Sequence, residues 1–189
     1  MLTAKELIER LKLEPLPVEG GYFRQTYRSD ETFARSALPG RYSSERVFGT
    51  AIYYLLSDEQ DCFSALHRLP TEEIYHFYLG DPVELLLLKP KGESERVVLG
   101  PDLLGGQQVQ FVVQRGVSQG SRLRPRLRQG FPRLRSGQVG GQGGGRWALL
   151  GTTMAPGYDP SDYEGGEREE LLQRYPQEAE LIRALTRVN

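Results

Sequence analysis

Both histidines of the chain, His67 and His76, sit with the adjacent carboxylates Glu72 and Glu73 in one short run, Phe63-Ser-Ala-Leu-His-Arg-Leu-Pro-Thr-Glu-Glu-Ile-Tyr-His-Phe-Tyr-Leu-Gly-Asp-Pro82. The flanking segments Thr50–Leu56 and Val83–Leu88 read as buried strands. Titratable groups between apolar strands are costly to bury unless something pairs with them, so chemistry is sought here first. An imidazole titrates near neutral pH, and a carboxylate enclosed by apolar strands has its pKa raised by desolvation. As an acid and base pair, His67 and Glu73 could move a proton on or off a carbon next to a carbonyl. Tyr53, Tyr54, Tyr75 and Tyr78 are candidates for a phenolic acid or a stacking wall. On a regular strand Glu73 and Tyr75 share a face and His76 takes the opposite one, so His76 joins them only through a bulge. A plainer role exists for each group. A buried His hydrogen-bonded to a buried Glu holds two strands in register, His76 can lie at the surface or in a subunit contact, and Glu72 is expected to point into solvent.

Those groups need strands to position them, and the sequence supplies strand signals at short intervals. Phe48–Leu56, Cys62–Arg68, Glu73–Leu79, Val83–Leu88, Glu95–Leu99, Val109–Gln114 and Trp147–Thr153 are separated by turn sequences such as Gly80-Asp81-Pro82 and Pro90-Lys91-Gly92. Many short strands with regular turns argue for an all-β sandwich or barrel. The unbroken apolar run Leu85–Leu88 is what a strand covered on both faces requires. Along Tyr22–Arg28, Tyr22, Arg24, Thr26 and Arg28 fall on one face and Phe23, Gln25 and Tyr27 on the other. Because arginine is always charged, the first face is either in solvent or lines a polar cavity. Thr3 with Glu6 forms a capping-box pair and Leu2 with Leu7 the matching staple, predicting a helix over Ala4–Leu11 that Pro15 and Pro17 stop. Ser29–Arg46, polar and interrupted by Pro39-Gly40, reads as a mobile loop. Two amphipathic helices, Glu167–Tyr175 and Glu178–Arg187, are expected to pack on the outside.

A chain of 189 residues with a net charge of −1 is expected to form a single domain over 1–189 and makes no demand for a polyanionic partner, so no nucleic acid is expected. No apolar run approaches the roughly 20 residues that span a bilayer, and the N-terminus has no basic-then-apolar signal pattern. No membrane partner and a cytoplasmic location are the expectations. Cys62 is the only cysteine; it excludes an internal disulfide and reads as a buried thiol. One stretch departs from the rest: Leu103–Tyr158 holds eight arginines and no Asp or Glu. Within it, 118–146 is rich in Arg, Gly and Gln and poor in strand and helix formers. RNA binding would want interleaved aromatics or a repeated Arg-Gly-Gly unit. Phe131 is its one aromatic, so the segment reads as a disordered or anomalous insertion, or as a stretch read in another frame.

The spacing of His67, Leu69, Glu73 and Gly80 resembles the first motif of the cupin superfamily, His, a second His two residues on, Glu four further and Gly seven further. One ligand position has become leucine. The superfamily's second motif runs Pro, Gly, His at the positions of Gln114, Gly116 and Gln119, so two of its four metal ligands are changed. Further stretches are similar to one cupin branch, the small single-domain proteins of the fifth cupin family: Glu19-Gly-Gly-Tyr-Phe-Arg-Gln-Thr-Tyr-Arg-Ser29, Thr50–Leu56, Glu73–Pro82, Leu99–Leu103 and Met154-Ala-Pro-Gly-Tyr-Asp159. The first of these also resembles the opening strand of the deoxysugar epimerases, where an acidic-Gly-aromatic stretch helps hold a sugar nucleotide.

The resemblance implies a cupin-type antiparallel β-barrel (jelly roll) with a short N-terminal helix and two C-terminal helices, assembled as a homodimer. It implies His67, Glu73 and Gln119 as the ligands of a divalent metal. That set has one imidazole where an open oxygenase site wants two histidines and a carboxylate, so no cofactor is the leading expectation. The function expected is binding of a small polar organic ligand, carbohydrate-like or nucleotide-like, near His67, Glu73, Arg24, Tyr54, Tyr75, His76 and Gln119. The alternatives are a metal-independent sugar-type epimerase or isomerase using His67 and Glu73, and a metal-dependent oxygenase.

Overall fold

The computed structural model describes residues 2–125 and 145–187. Its first element, α1 (Ala4–Leu11), begins as the Thr3/Glu6 spacing predicts. The Glu6 amide donates to Thr3 Oγ1 at 3.2 Å and the Thr3 amide donates to Glu6 Oε2 at 2.9 Å. The helix ends ahead of the prolines: Lys12 adopts the left-handed conformation, φ 52°, and caps the carbonyls of Ile8 and Glu9.

The strands follow as β1 (Glu14–Pro15), β2 (Tyr22–Arg28), β3 (Thr32–Phe33), β4 (Arg46–Val47), β5 (Thr50–Ser57), β6 (Ser64–Arg68), β7 (Glu73–Gly80), β8 (Val83–Leu88), β9 (Ser94–Leu99), β10 (Gln110–Val113), β11 (Ser118–Leu123), β12 (Trp147–Met154) and β13 (Glu164–Gly165). The helices α2 (Arg168–Arg174) and α3 (Ala179–Ala184) close the chain. One sheet has the order β1-β2-β5-β12-β7-β10 and the other β13-β6-β11-β8-β9, with every strand pair antiparallel. From β5 to β8 the chain switches sheet at each strand. β6 and β7, neighbours in sequence, therefore belong to different sheets of a two-sheet jelly roll. No described helix is long and apolar enough to cross a membrane.

Burial follows the strand alternation. Tyr54, Leu56, Tyr75, Leu85, Leu87, Leu99 and Leu150 fill the space between the sheets. Leu86 and Leu88, the alternate residues of β8, instead pack under Leu171, Tyr175, Leu181 and Ile182 of the C-terminal helices. This explains the continuous apolar run: both faces of β8 are covered. On the outer face of the other sheet, Leu55, Trp147 and Leu149 meet Leu7 of α1. At roughly 25 cal/mol per Å² of apolar surface removed from water, these three layers are what holds the sheets together.

Three expectations are corrected. Ser29–Arg46 is a pinned segment: it contributes β3 and β4, buries Tyr42 with its hydroxyl 2.8 Å from Thr71 Oγ1, and ends in the buried Arg46. Along β2 the register shifts between Gln25 and Tyr27, so Tyr27 leaves the face of Phe23 and Gln25 and is exposed. Of the segment 118–146 expected as an Arg/Gly-rich insertion, Ser118–Leu123 is a strand between β6 and β8, its register against β6 shifting between Gln119 and Ser121, and residues 126–144 lie outside the described residues.

Arg46 fixes this end of the fold. Its Nε donates to Asp162 Oδ2 at 3.0 Å and its Nη2 to Asp162 Oδ1 at 2.5 Å, both side chains being buried, while Nη1 reaches the Glu45 carbonyl at 2.8 Å. Removing one partner of such a pair leaves an uncompensated charge. Asp162→Asn is therefore expected to cost about 3–5 kcal/mol in urea unfolding, and Arg46→Met combined with Asp162→Leu to cost less than the single change.

Candidate functional site

The site begins with a backbone constraint. After β1 the chain turns through Gly20 and Gly21, whose φ of 101° and 71° lie in the left-handed region. A Cβ on Gly20 would collide with the carbonyl oxygen of Phe63, and one on Gly21 would lie 2.8 Å from that of Leu55. Only glycine lets this turn press so closely on its neighbours. Tyr54 locks it by donating its hydroxyl to the Gly20 carbonyl at 2.9 Å, and the Ala65 amide donates to the Glu19 carbonyl at 2.8 Å. Glu19 is thereby held against the open end of the jelly roll, its Oε1 accepting from Ser64 Oγ at 2.7 Å.

Beneath Glu19 lies a cavity of about 80 Å³. Its polar lining comes from Glu19, Gln25, Thr50, His67, Glu73, Thr152 and Tyr158, and its apolar lining includes Leu16, Phe23, Ile52, Leu69 and Met154. His67 arrives from β6 and Glu73 from β7, so the two sheets each contribute one titratable group to a common space. Gln119 joins them: it pairs with His67 across β6–β11 and donates its Nε2 to Glu73 Oε2 at 2.6 Å. Its Oε1 is buried with no partner among the described residues.

The state of each group follows from its surroundings. His67, 2 % exposed, has its Nδ1 2.8 Å from the Ala65 carbonyl. A carbonyl only accepts, so Nδ1 carries a proton there, while no partner for Nε2 occurs among the described residues. The ring stacks on Tyr163, centroids 5.0 Å apart, because β13 runs beside β6 and carries the preceding tyrosine with it. Glu73 is held above the usual carboxylate range, first by burial and then by the charge of Glu19; His67, Thr152 and Gln119 pull it back only in part. Burial, with Glu19 and Glu73 behind it, pushes the Tyr158 phenol up to about 12.

Of the residues expected at the site, His67, Glu73 and Gln119 come together. Tyr54 and Tyr75 face the same interior but lie in the apolar core and not in the cavity wall. Arg24 and His76 are on the outer face of the sheet. The Arg24 guanidinium lies 5.4 Å from the Tyr53 ring centroid; His76 stacks on Tyr78, with Nε2 3.1 Å from Thr153 Oγ1 and Nδ1 3.2 Å from the Gln110 amide. The β7–β12 register does shift, but only at Leu149/Leu150, beyond His76, so no bulge returns it to the inner face. Glu72 is paired with Arg115 at 2.6 Å. Glu19, Gln25, Thr152 and Tyr158 are additions. Glu19 and Tyr158 stand in the Glu-Gly-Gly and Ala-Pro-Gly-Tyr-Asp stretches, and Gln25 and Thr152 could have been found from strand alternation with Phe23 and Leu150.

The donor set does not suit a transition metal. Leu69 lines the cavity as an apolar wall, and Gln119 offers a neutral amide whose nitrogen is committed to Glu73. Among the described residues no group of three or more His, Cys, Asp or Glu side chains is placed to hold a metal ion. With His67 as its one imidazole, the cavity lining falls short of the two histidines and a carboxylate that open iron sites use.

The family model described as "Cupin superfamily (DUF985)" matches residues 5–165. A crystal structure of a Shewanella oneidensis protein is similar at 30 % identity and a TM-score of 0.78, covering 100 % of both chains. A hypothetical protein from Leishmania major is similar at 27 % identity and a TM-score of 0.76, covering 99 % of this chain and 100 % of the other. No curated protein sequence matches this chain.

The raised Glu73 makes a testable statement about stability. In the unfolded chain the carboxyl ionises near 4.5, whereas the folded state holds its proton to higher pH. Between those two values the native state binds more protons, so this group's contribution to stability falls as pH rises. Glu73→Gln removes that slope. Thermal unfolding should show the variant's Tm, relative to the unsubstituted protein, moving upward from pH 4 to pH 7; a flat or downward difference overturns the assignment.

Proposed function

We propose, for a chain that belongs to the DUF985 family of the cupin superfamily, that the cavity beside His67 and Glu73 binds a small polar organic ligand. One observation carries this reading: the imidazole of His67, 2 % exposed, has no hydrogen-bond partner at Nε2 among the described residues, at the wall of a cavity that Glu73 also lines. A pair serving only to hold strands in register would direct those groups at each other. Buried polar groups without a partner are costly to maintain, and a ligand offsets that cost when it binds. About 80 Å³ is well below the roughly 300 Å³ at which drug-sized pockets begin, so the occupant has the size of a carbohydrate fragment and a nucleotide does not fit.

The test is a two-dimensional NMR titration of the full chain with glycerol, ethanolamine and glycolate, one at a time. At least one should give saturable shifts at the cavity-lining amides, and Thr152→Leu, which fills the space next to Glu73, should abolish them. Saturation at none of these amides with any probe would remove the reading.

A second reading rests on the placement of His67 and Glu73 on one cavity. With Nε2 accepting a proton from carbon and Glu73, whose pKa burial raises, donating one to a carbonyl oxygen, the pair would divide the labour that an aldose–ketose or epimerisation step needs. Glycolaldehyde in deuterated water should then gain deuterium at its α-carbon in the presence of the protein. His67→Asn should slow that exchange by about 100-fold or more; exchange unchanged by the substitution would exclude the imidazole as the base.

A further inference from the structure

The cavity is one-sided in the formal charge of its carboxyl groups. Its lining contains two carboxylates, Glu19 and Glu73, and no lysine or arginine among the described residues. The guanidinium groups around it are engaged elsewhere: Arg46 is bound to Asp162 and Arg68 to Glu164. Arg187 reaches the carbonyls of Val18, Glu19 and Asp61, and not a carboxylate. Glu19 has Oε2 left after Oε1 accepts from Ser64, Glu73 accepts from Gln119 at Oε2, and His67, 2 % exposed, has no partner at Nε2 among the described residues. Phe23 and Tyr158 add aromatic rings to the same wall.

An anion placed here meets the carboxyl groups of Glu19 and Glu73 and no lysine or arginine, beside buried side chains where repulsion is poorly screened. A small ammonium meets the reverse: carboxylate oxygens for its donors and aromatic faces for its charge. We infer that the ligand of this cavity is a small organic cation of the amino-alcohol class, a primary ammonium with a neighbouring hydroxyl, and that carboxylates and phosphates are rejected. The inference rests on the cavity being the ligand site, as proposed above, and adds the sign of the ligand's charge.

The experiment uses three probes of nearly equal size and opposite charge on the full-length protein: ethanolamine, ethylene glycol and glycolate, followed by calorimetry and by shifts of the cavity-lining amides at pH 7. Ethanolamine should bind about tenfold or more tightly than ethylene glycol, as expected for exchanging a neutral for a charge-assisted hydrogen bond, and glycolate should not saturate. Glu19→Gln should erase most of the preference for ethanolamine over ethylene glycol. The selectivity of the unsubstituted protein is itself decisive if that variant folds poorly. Glycolate binding as tightly as ethanolamine, or equal affinity for all three, overturns the charge assignment and leaves the ligand site standing. No saturable shift from any probe overturns both.

Discussion

A carboxyl buried between two β-sheets organises this end of the molecule. Glu73 is 8 % exposed, and its charged form is disfavoured by that burial and by the second carboxylate at Glu19. Such a group is tolerable only where polar partners converge, and they converge from both sheets: Gln119 from β11, Thr152 from β12 and His67 from β6. The strand order makes this convergence possible. Because the chain alternates between sheets, two residues six apart in sequence, His67 and Glu73, reach one cavity from different sheets.

The rest of the architecture keeps that arrangement enclosed. The Gly20-Gly21 turn brings Glu19 over the cavity, at a closeness that no side chain would permit. On the opposite flank the segment carrying Tyr158, Asp162 and Tyr163 covers His67, and the buried Arg46–Asp162 pair ties that segment to β4. A buried ion pair is a poor source of net stability but a strong source of geometric definition, since its two forks fit one arrangement. The C-terminal helices and α1 cover the outer faces of the sheets.

The polar groups here suit a metal poorly in a physically consistent way. Leu69 gives the cavity an apolar wall, and the amide nitrogen of Gln119 is committed to Glu73. The Gln119 Oε1 is buried with no partner among the described residues.

Several features were legible from residue types alone. The Thr3/Glu6 box, the double-sided burial of Leu85–Leu88, the opposition of His76 to Glu73 and Tyr75, and the two covering helices all follow from periodicities of a single segment, which strand and helix geometry impose locally. The pairing of Glu73 with Gln119 was accessible only as a family likeness; Tyr54 and Tyr75 lie in the core and not in the cavity wall, because facing the interior and lining a cavity are different things, and Arg24 lies on the outer face. Interior positions near the middle of the sheets are packed solid; those near the open end are not. Neither the position of Thr26, where the β2 register slips, nor the closing of Arg46 on Asp162 across more than a hundred residues leaves a trace in local sequence. What the chain by itself determined is which residues can face inward. Which inward residues share a cavity, and with what charge, was decided by sheet order and turn geometry, because contacts between distant segments carry no local periodicity.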